Sequence, residues 1–277
     1  MNGTRLATWA ALSAVLVLAP GLSYGQSTTL TAFDKLPDWT GLWRMMGPTI
    51  FDTATQTGKG GAVTPGVREH PPYTDVYEKK YQEHLARRDV SRLPDVITNC
   101  GVPVGYPRIL NLPDTYEFMV RPDEFYIITE NGPNTMRVYT DGRPLPKKED
   151  TWGTYTGVSV GHWEGDTLVW ETIGLKGDRD SDSILDRTGL ILSDAAHVNT
   201  RMRKINENTL QAVLTIEDSK ALTKPWVVTK RFRKQEPGLF MYDYGCAENN
   251  RNPVNTATGE TLVLGSDGKP AKKLIDC

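Results

Sequence analysis

The sequence predicts a mainly β protein, an antiparallel up-and-down barrel with one helix and long loops. Three observations lead there. From Tyr116 onward, short runs of aromatic and β-branched residues alternate with polar ones, the period of a half-buried strand. Turn sequences separate these runs: Asn131-Gly132-Pro133-Asn134, Asp141-Gly142, Glu164-Gly165-Asp166 and Asn206-Glu207-Asn208. A sheet of about ten such strands tends to curl, and closure removes its exposed edges. A two-sheet sandwich is the alternative. No fixed-period repeat is present, which argues against a propeller.

The elements follow in order. Residues 1–25 read as a secretory signal peptide: Arg5 supplies the basic start, Trp9 to Leu22 the apolar run, and Ser23-Tyr24-Gly25 the cleavage site. The expected localisation is therefore periplasmic or secreted, with residues 26–252 forming one barrel domain. PDWTGLWRM (37–45) reads as the first strand. Residues 52–72, rich in Thr, Gly and Pro, read as a long loop. Tyr77, Tyr81 and Leu85 recur at four-residue spacing, which predicts a helix over about 74–89. YEFMVR, FYIITE, TMRVYT, VSVGHW, TLVWET, HVNTRMRKI, LQAVLTIE, WVVTKRFR and LFMYDY then read as strands. Residues 253–277 form a polar tail.

Composition narrows the function classes. Without Arg5 the chain has 31 basic and 34 acidic residues and no basic cluster, so a nucleic-acid partner is not expected. No apolar stretch after the signal is long enough for an integral membrane segment. Three cysteines, Cys100, Cys246 and Cys277, fit one disulfide in an oxidising compartment. Cys100–Cys246 is the preferred pair because both flank predicted strands, although three pairings are open. Serine-nucleophile, Walker and dinucleotide motifs are missing, so no cofactor is expected. Asp178, Asp180, Asp182 and Asp186 are spaced like early calcium ligands. Ser183 and Gly189 break that pattern where glycine and glutamate are needed, so a solvated acidic loop and no metal are expected.

Two resemblances add to this. Gly41-Leu42-Trp43 resembles the Gly-x-Trp motif on the first strand of lipocalins and other calycins. That resemblance implies a tryptophan plugging the barrel under an arginine from the last strands, here Arg231 or Arg233. The segments SVGHWEGDTLVWET, LSDAAHVNTRMRK, TIEDSKALTKPW and YDYGCAENN resemble an uncharacterised group of exported bacterial β-rich proteins. In that group a histidine often replaces Leu192, and a glutamate Thr200.

The densest polar cluster is LSDAAHVNTRMRK (192–204). Pairing its apolar residues with those of LQAVLTIE puts Val198 opposite Ile216, Thr200 opposite Leu214 and Met202 opposite Ala212. His197 then faces Glu217, with Asp194 at the strand entrance and Arg201 further along. A carboxylate beside an imidazole orients it and favours its protonated form, as acid–base chemistry needs. The same register puts His197 on the polar face, which points to water unless the barrel interior is polar. Two functions follow. The first is binding of a hydrophobic or aromatic small molecule, with Tyr116, Tyr126, Tyr139, Trp170 and Arg201 as candidate ligand-binding residues. The second is a cofactor-independent lyase, isomerase or hydratase using His197, Glu217 and Asp194. A structural role in the cell envelope would draw on the 52–72 loop and the tail.

Overall fold

A computed structural model gives the architecture. It describes residues 30–47, 49, 51, 70–89, 92–93, 95, 104–132, 134–177, 179, 182–245, 248, 253, 261–262, 264 and 267–269. The signal segment, all three cysteines and most of the 52–72 loop lie outside the described residues.

Nine strands close a barrel: β1 (Leu42–Met45), β2 (Thr115–Val120), β3 (Glu124–Thr129), β4 (Thr135–Tyr139), β5 (Val158–Glu164), β6 (Thr167–Ile173), β7 (Ala196–Asn206), β8 (Thr209–Asp218) and β9 (Trp226–Lys234). Each pairs with its sequence neighbours, and β1 closes the ring between β9 and β2. The barrel is mixed, which corrects the purely antiparallel expectation. Strands β4 and β5 run parallel, meeting at Tyr139 and Val160, while the other pairs are antiparallel. Parity requires this. Strict alternation of direction around a closed ring needs an even number of strands, and nine leaves one parallel junction. It falls where residues 140–157 are long enough to carry the chain back.

The alternation of the sequence is also the alternation of the wall. Val198, Met202, Leu214, Ile216 and Phe232 are fully buried. The register deduced for the β7–β8 hairpin is the observed one: Val198 pairs with Ile216, Thr200 with Leu214, Met202 with Ala212 and His197 with Glu217. The register shifts between Thr209 and Leu210 at the turn. LFMYDY corrects the strand count. Its residues 239–243 form no strand and leave Phe240 and Tyr242 largely exposed; Tyr244–Gly245 make a two-residue parallel pair with Asn131–Gly132.

Both barrel ends are filled. Near the β5–β6 turn the Trp39 ring meets Phe125 at 5.7 Å and Trp163 at 5.5 Å between centroids. The opposite end is covered by helix α1 (Asp75–Asp89) and the connection from β6 to β7. Helix α1 is tied at its start through Thr74 N–H to Ala221 O, and midway through the Tyr81 hydroxyl to Thr188. Its buried stripe includes His84, whose Nδ1–H donates to Gly189 O at 2.7 Å. Gly189 has φ +88°, and a Cβ there would come within 2.5 Å of the His84 Cβ. Only glycine suits that crossing. Among the described residues, no helix is long and apolar enough to cross a membrane.

Candidate functional site

His197 projects from the outer wall of β7. Its side chain is one-third exposed, and Nε2–H donates to Glu171 on β6 at 2.9 Å. The expected partner Glu217 is 3.8 Å from Nδ1 on the other side. The imidazole is thus bracketed by two carboxylates from the flanking strands. Glu171 was missed because its strand is joined to β7 by a long connection whose register cannot be counted from a turn. Asp194 is engaged elsewhere, by Lys220 and by Lys148 at 3.7 Å, and the Lys220 hydrogen bond lowers its pKa. Arg201, exposed, donates to Glu164 at 2.7 Å.

The expected ligand-binding aromatics divide between the two faces. Tyr126 and Tyr139 lie on the outer parity of β3 and β4. Arg137 sits 5.1 Å from the Tyr126 centroid, and Arg143 3.8 Å from that of Tyr139. Tyr116 and Trp170 are buried inside. The Tyr116 hydroxyl is held by the Leu112 backbone, accepting from N–H at 2.8 Å and donating to O at 3.2 Å. Trp170 packs against Tyr106 and Phe125 with centroids 6.4 and 6.0 Å away.

Trp43 is fully buried, and its indole N–H donates to Trp39 O at 3.0 Å. The cation nearest its ring is Lys234, with Nζ 5.7 Å from the centroid. Arg231 turns outward to Gln211, and Arg233 is exposed and paired in register with Arg44. Alternation explains this: in β9 the inward parity belongs to Trp226, Val228, Lys230 and Phe232.

That parity puts a lysine inside the barrel. Lys230 has no solvent exposure. Its Nζ donates to Asn111 Oδ1 at 2.5 Å and lies 4.4 Å from the centroid of Phe51. Desolvation pushes its pKa down to about 7, against a smaller upward pull from Asp186. Asp186 is itself buried and already accepts from Phe51 N–H at 2.6 Å and from Thr188 N–H and Oγ1. The acidic loop is therefore partly internal, a correction to the solvated reading. Asp182 is also buried, and it accepts from Arg179 at 2.8 Å. These carboxylates answer backbone and guanidinium donors in a buried connection; Asp178 and Asp180 lie outside the described residues.

The wall beside Lys230 differs from the rest of the barrel. Strand β1 pairs with β9 only from Lys234 to Phe232, followed by one bond from Met46 N–H to Arg231 O. Beyond that point Phe51 and the turn Arg108–Asn111 lie over β9, and Asn111 Nδ2–H donates to Thr49 O at 3.0 Å. Among the described residues, side chains and not strand pairing lie beside Lys230 on this side.

Elsewhere the interior holds hydroxyls and indoles. Tyr106 is hydrogen-bonded to Thr200, and Ser159 to Thr172 at 2.8 Å. Burial raises the Tyr106 pKa above the usual phenol range. The indole N–H groups of Trp39, Trp163 and Trp226 are buried and have no hydrogen-bond partner among the described residues, while that of Trp170 faces the Tyr106 hydroxyl. Among those residues no group of three or more His, Cys, Asp or Glu could hold a metal ion. Chemically, the interior offers apolar ring surface, unused N–H donors and one amine near neutrality. No family model matches the chain, and no curated protein is significantly similar to it.

Proposed function

We propose that this barrel holds a hydrophobic or aromatic small molecule bearing a few acceptor atoms. The observation that carries the reading is the set of three buried indole N–H groups, of Trp39, Trp163 and Trp226, without acceptors among the described residues, set among the rings of a closed barrel. A buried donor left unpaired costs about 1–3 kcal/mol, so each gains by meeting a ligand oxygen or nitrogen. With residues 1–25 as an export signal, the protein works in the periplasm or outside the cell. The test is a titration of tryptophan emission with a panel of aromatic and aliphatic compounds, paired with native mass spectrometry of freshly purified protein. A saturable emission change or a co-purified mass supports the reading. A clean apo mass with no saturable response across the panel refutes it.

A second reading, acid–base catalysis on the outer wall, has one observation in its favour. The His197 imidazole lies between Glu171 and Glu217 with a third of its surface open. Turnover of any panel compound that His197→Ala abolishes, with binding intact, would establish it; turnover unchanged by that substitution would exclude it.

A further inference from the structure

We propose that Lys230 is a nucleophilic amine that takes a small, largely apolar aldehyde or ketone as an imine. The inference rests on the barrel being a small-molecule holder and names the chemical class of what it holds.

Three features of the geometry support it. First, among the described residues Lys230 is the one fully buried lysine and no carboxylate is hydrogen-bonded to it. Its nearest charged influence, Asp186, spends its oxygens on Phe51 N–H and Thr188. The groups in direct contact with the amine are neutral: one N–H reaches Asn111 Oδ1 and the Phe51 ring covers a second side, while Asp186 acts on it only through space. Desolvation in an apolar pocket is the usual way a lysine becomes a nucleophile at neutral pH. Second, Trp226 packs against the same Phe51 ring, with centroids 6.0 Å apart, and its buried indole N–H has no acceptor among the described residues. It is a donor available to a carbonyl or other oxygen brought to this place. Third, among the described residues the pairing of β1 with β9 stops short of Lys230, and the groups beside the amine there are the side chains of Phe51 and Asn111.

The chemistry balances without any co-reactant. The Nζ lone pair adds to the carbonyl carbon, and the C–O π pair moves to oxygen, giving a carbinolamine. The remaining C–O bond then breaks, and the oxygen leaves as water with the two former N–H protons. A C=N bond joins the guest to Lys230, and nothing is oxidised or reduced.

The test uses the whole mature protein, benzaldehyde as probe and cyanoborohydride to reduce any imine to a stable benzyl amine that peptide mapping can place. At pH 7 Lys230 should be modified at least tenfold faster than any exposed lysine, with that advantage shrinking at pH 9. Asn111→Asp, which puts a carboxylate on the amine, should slow modification at pH 7 severalfold while leaving exposed lysines unchanged. Labelling of Lys230 only when urea unfolds the protein, or no faster than that of exposed lysines, overturns the proposal. Benzyl alcohol, which lacks the carbonyl, separates the two levels in a tryptophan-emission titration. Saturable binding of the alcohol with no Lys230 adduct from the aldehyde overturns the imine and keeps the small-molecule reading. No binding of either compound and no adduct overturns the imine and counts against the holder as well.

Discussion

Replacing Lys230 by methionine tests the buried amine through stability alone. In the folded protein this group titrates at about 7, against 10.5 for an ordinary lysine. The unfolded chain therefore binds more protons than the folded one between those values, and this group makes stability rise with pH across that window. Below pH 7 the cost of burying the amine is fully present. Linkage puts it at about 5 kcal/mol at pH 6 and about 2 kcal/mol at pH 9. Methionine removes that cost, has a similar shape and leaves Asn111 Oδ1 without its donor, a loss of about 1–3 kcal/mol that does not vary with pH. Lys230→Met should thus be more stable than the natural protein by about 2–4 kcal/mol at pH 6 and close to equal at pH 9. Urea unfolding of both proteins at the two pH values reads this directly. The constant terms and all other titrating groups cancel in the comparison, so the expected change of about 3 kcal/mol between pH values belongs to Lys230. A stability difference that does not move with pH would refute the reasoning.

Other substitutions probe the remaining parts of the account. Gly189→Ala should lose at least about 2 kcal/mol, because its φ of +88° and the 2.5 Å approach to the His84 Cβ leave no room; for this size of protein that lowers Tm by roughly 4–8 °C. Thr200→Val deprives the buried Tyr106 hydroxyl of a partner and should cost about 1–3 kcal/mol in the same urea assay. His197→Ala, on the outer wall, should cost under about 1 kcal/mol. A large destabilisation there would mean that the His197 face is structurally buried.

Much of this wall was legible because alternation is a local property. The β7–β8 register follows from matching apolar parities across a short turn, and all four deduced pairs are observed. What crosses a long connection was not legible. Glu171 reaches His197 from β6, and the parallel contact of β4 with β5 depends on the total number of strands. The inward place of Lys230 was available in principle, since it shares parity with Trp226, Val228 and Phe232. The calycin resemblance points to Arg231 and Arg233 in place of it, and a lysine among apolar residues ordinarily extends its amine to water. The buried Asp182 and Asp186 were hidden for the opposite reason. Acidic residues in a loop suggest solvent, and only the fold shows that a guanidinium and backbone N–H groups there need acceptors.

The most direct measurement is the titration of Lys230 itself. Protein carrying carbon-13 at lysine Cε, compared with Lys230→Met to assign the signal, reports each lysine's pKa by NMR. The account predicts one resonance with a midpoint near 7, missing from the variant. A Lys230 midpoint at about 10, with every other lysine, would contradict it.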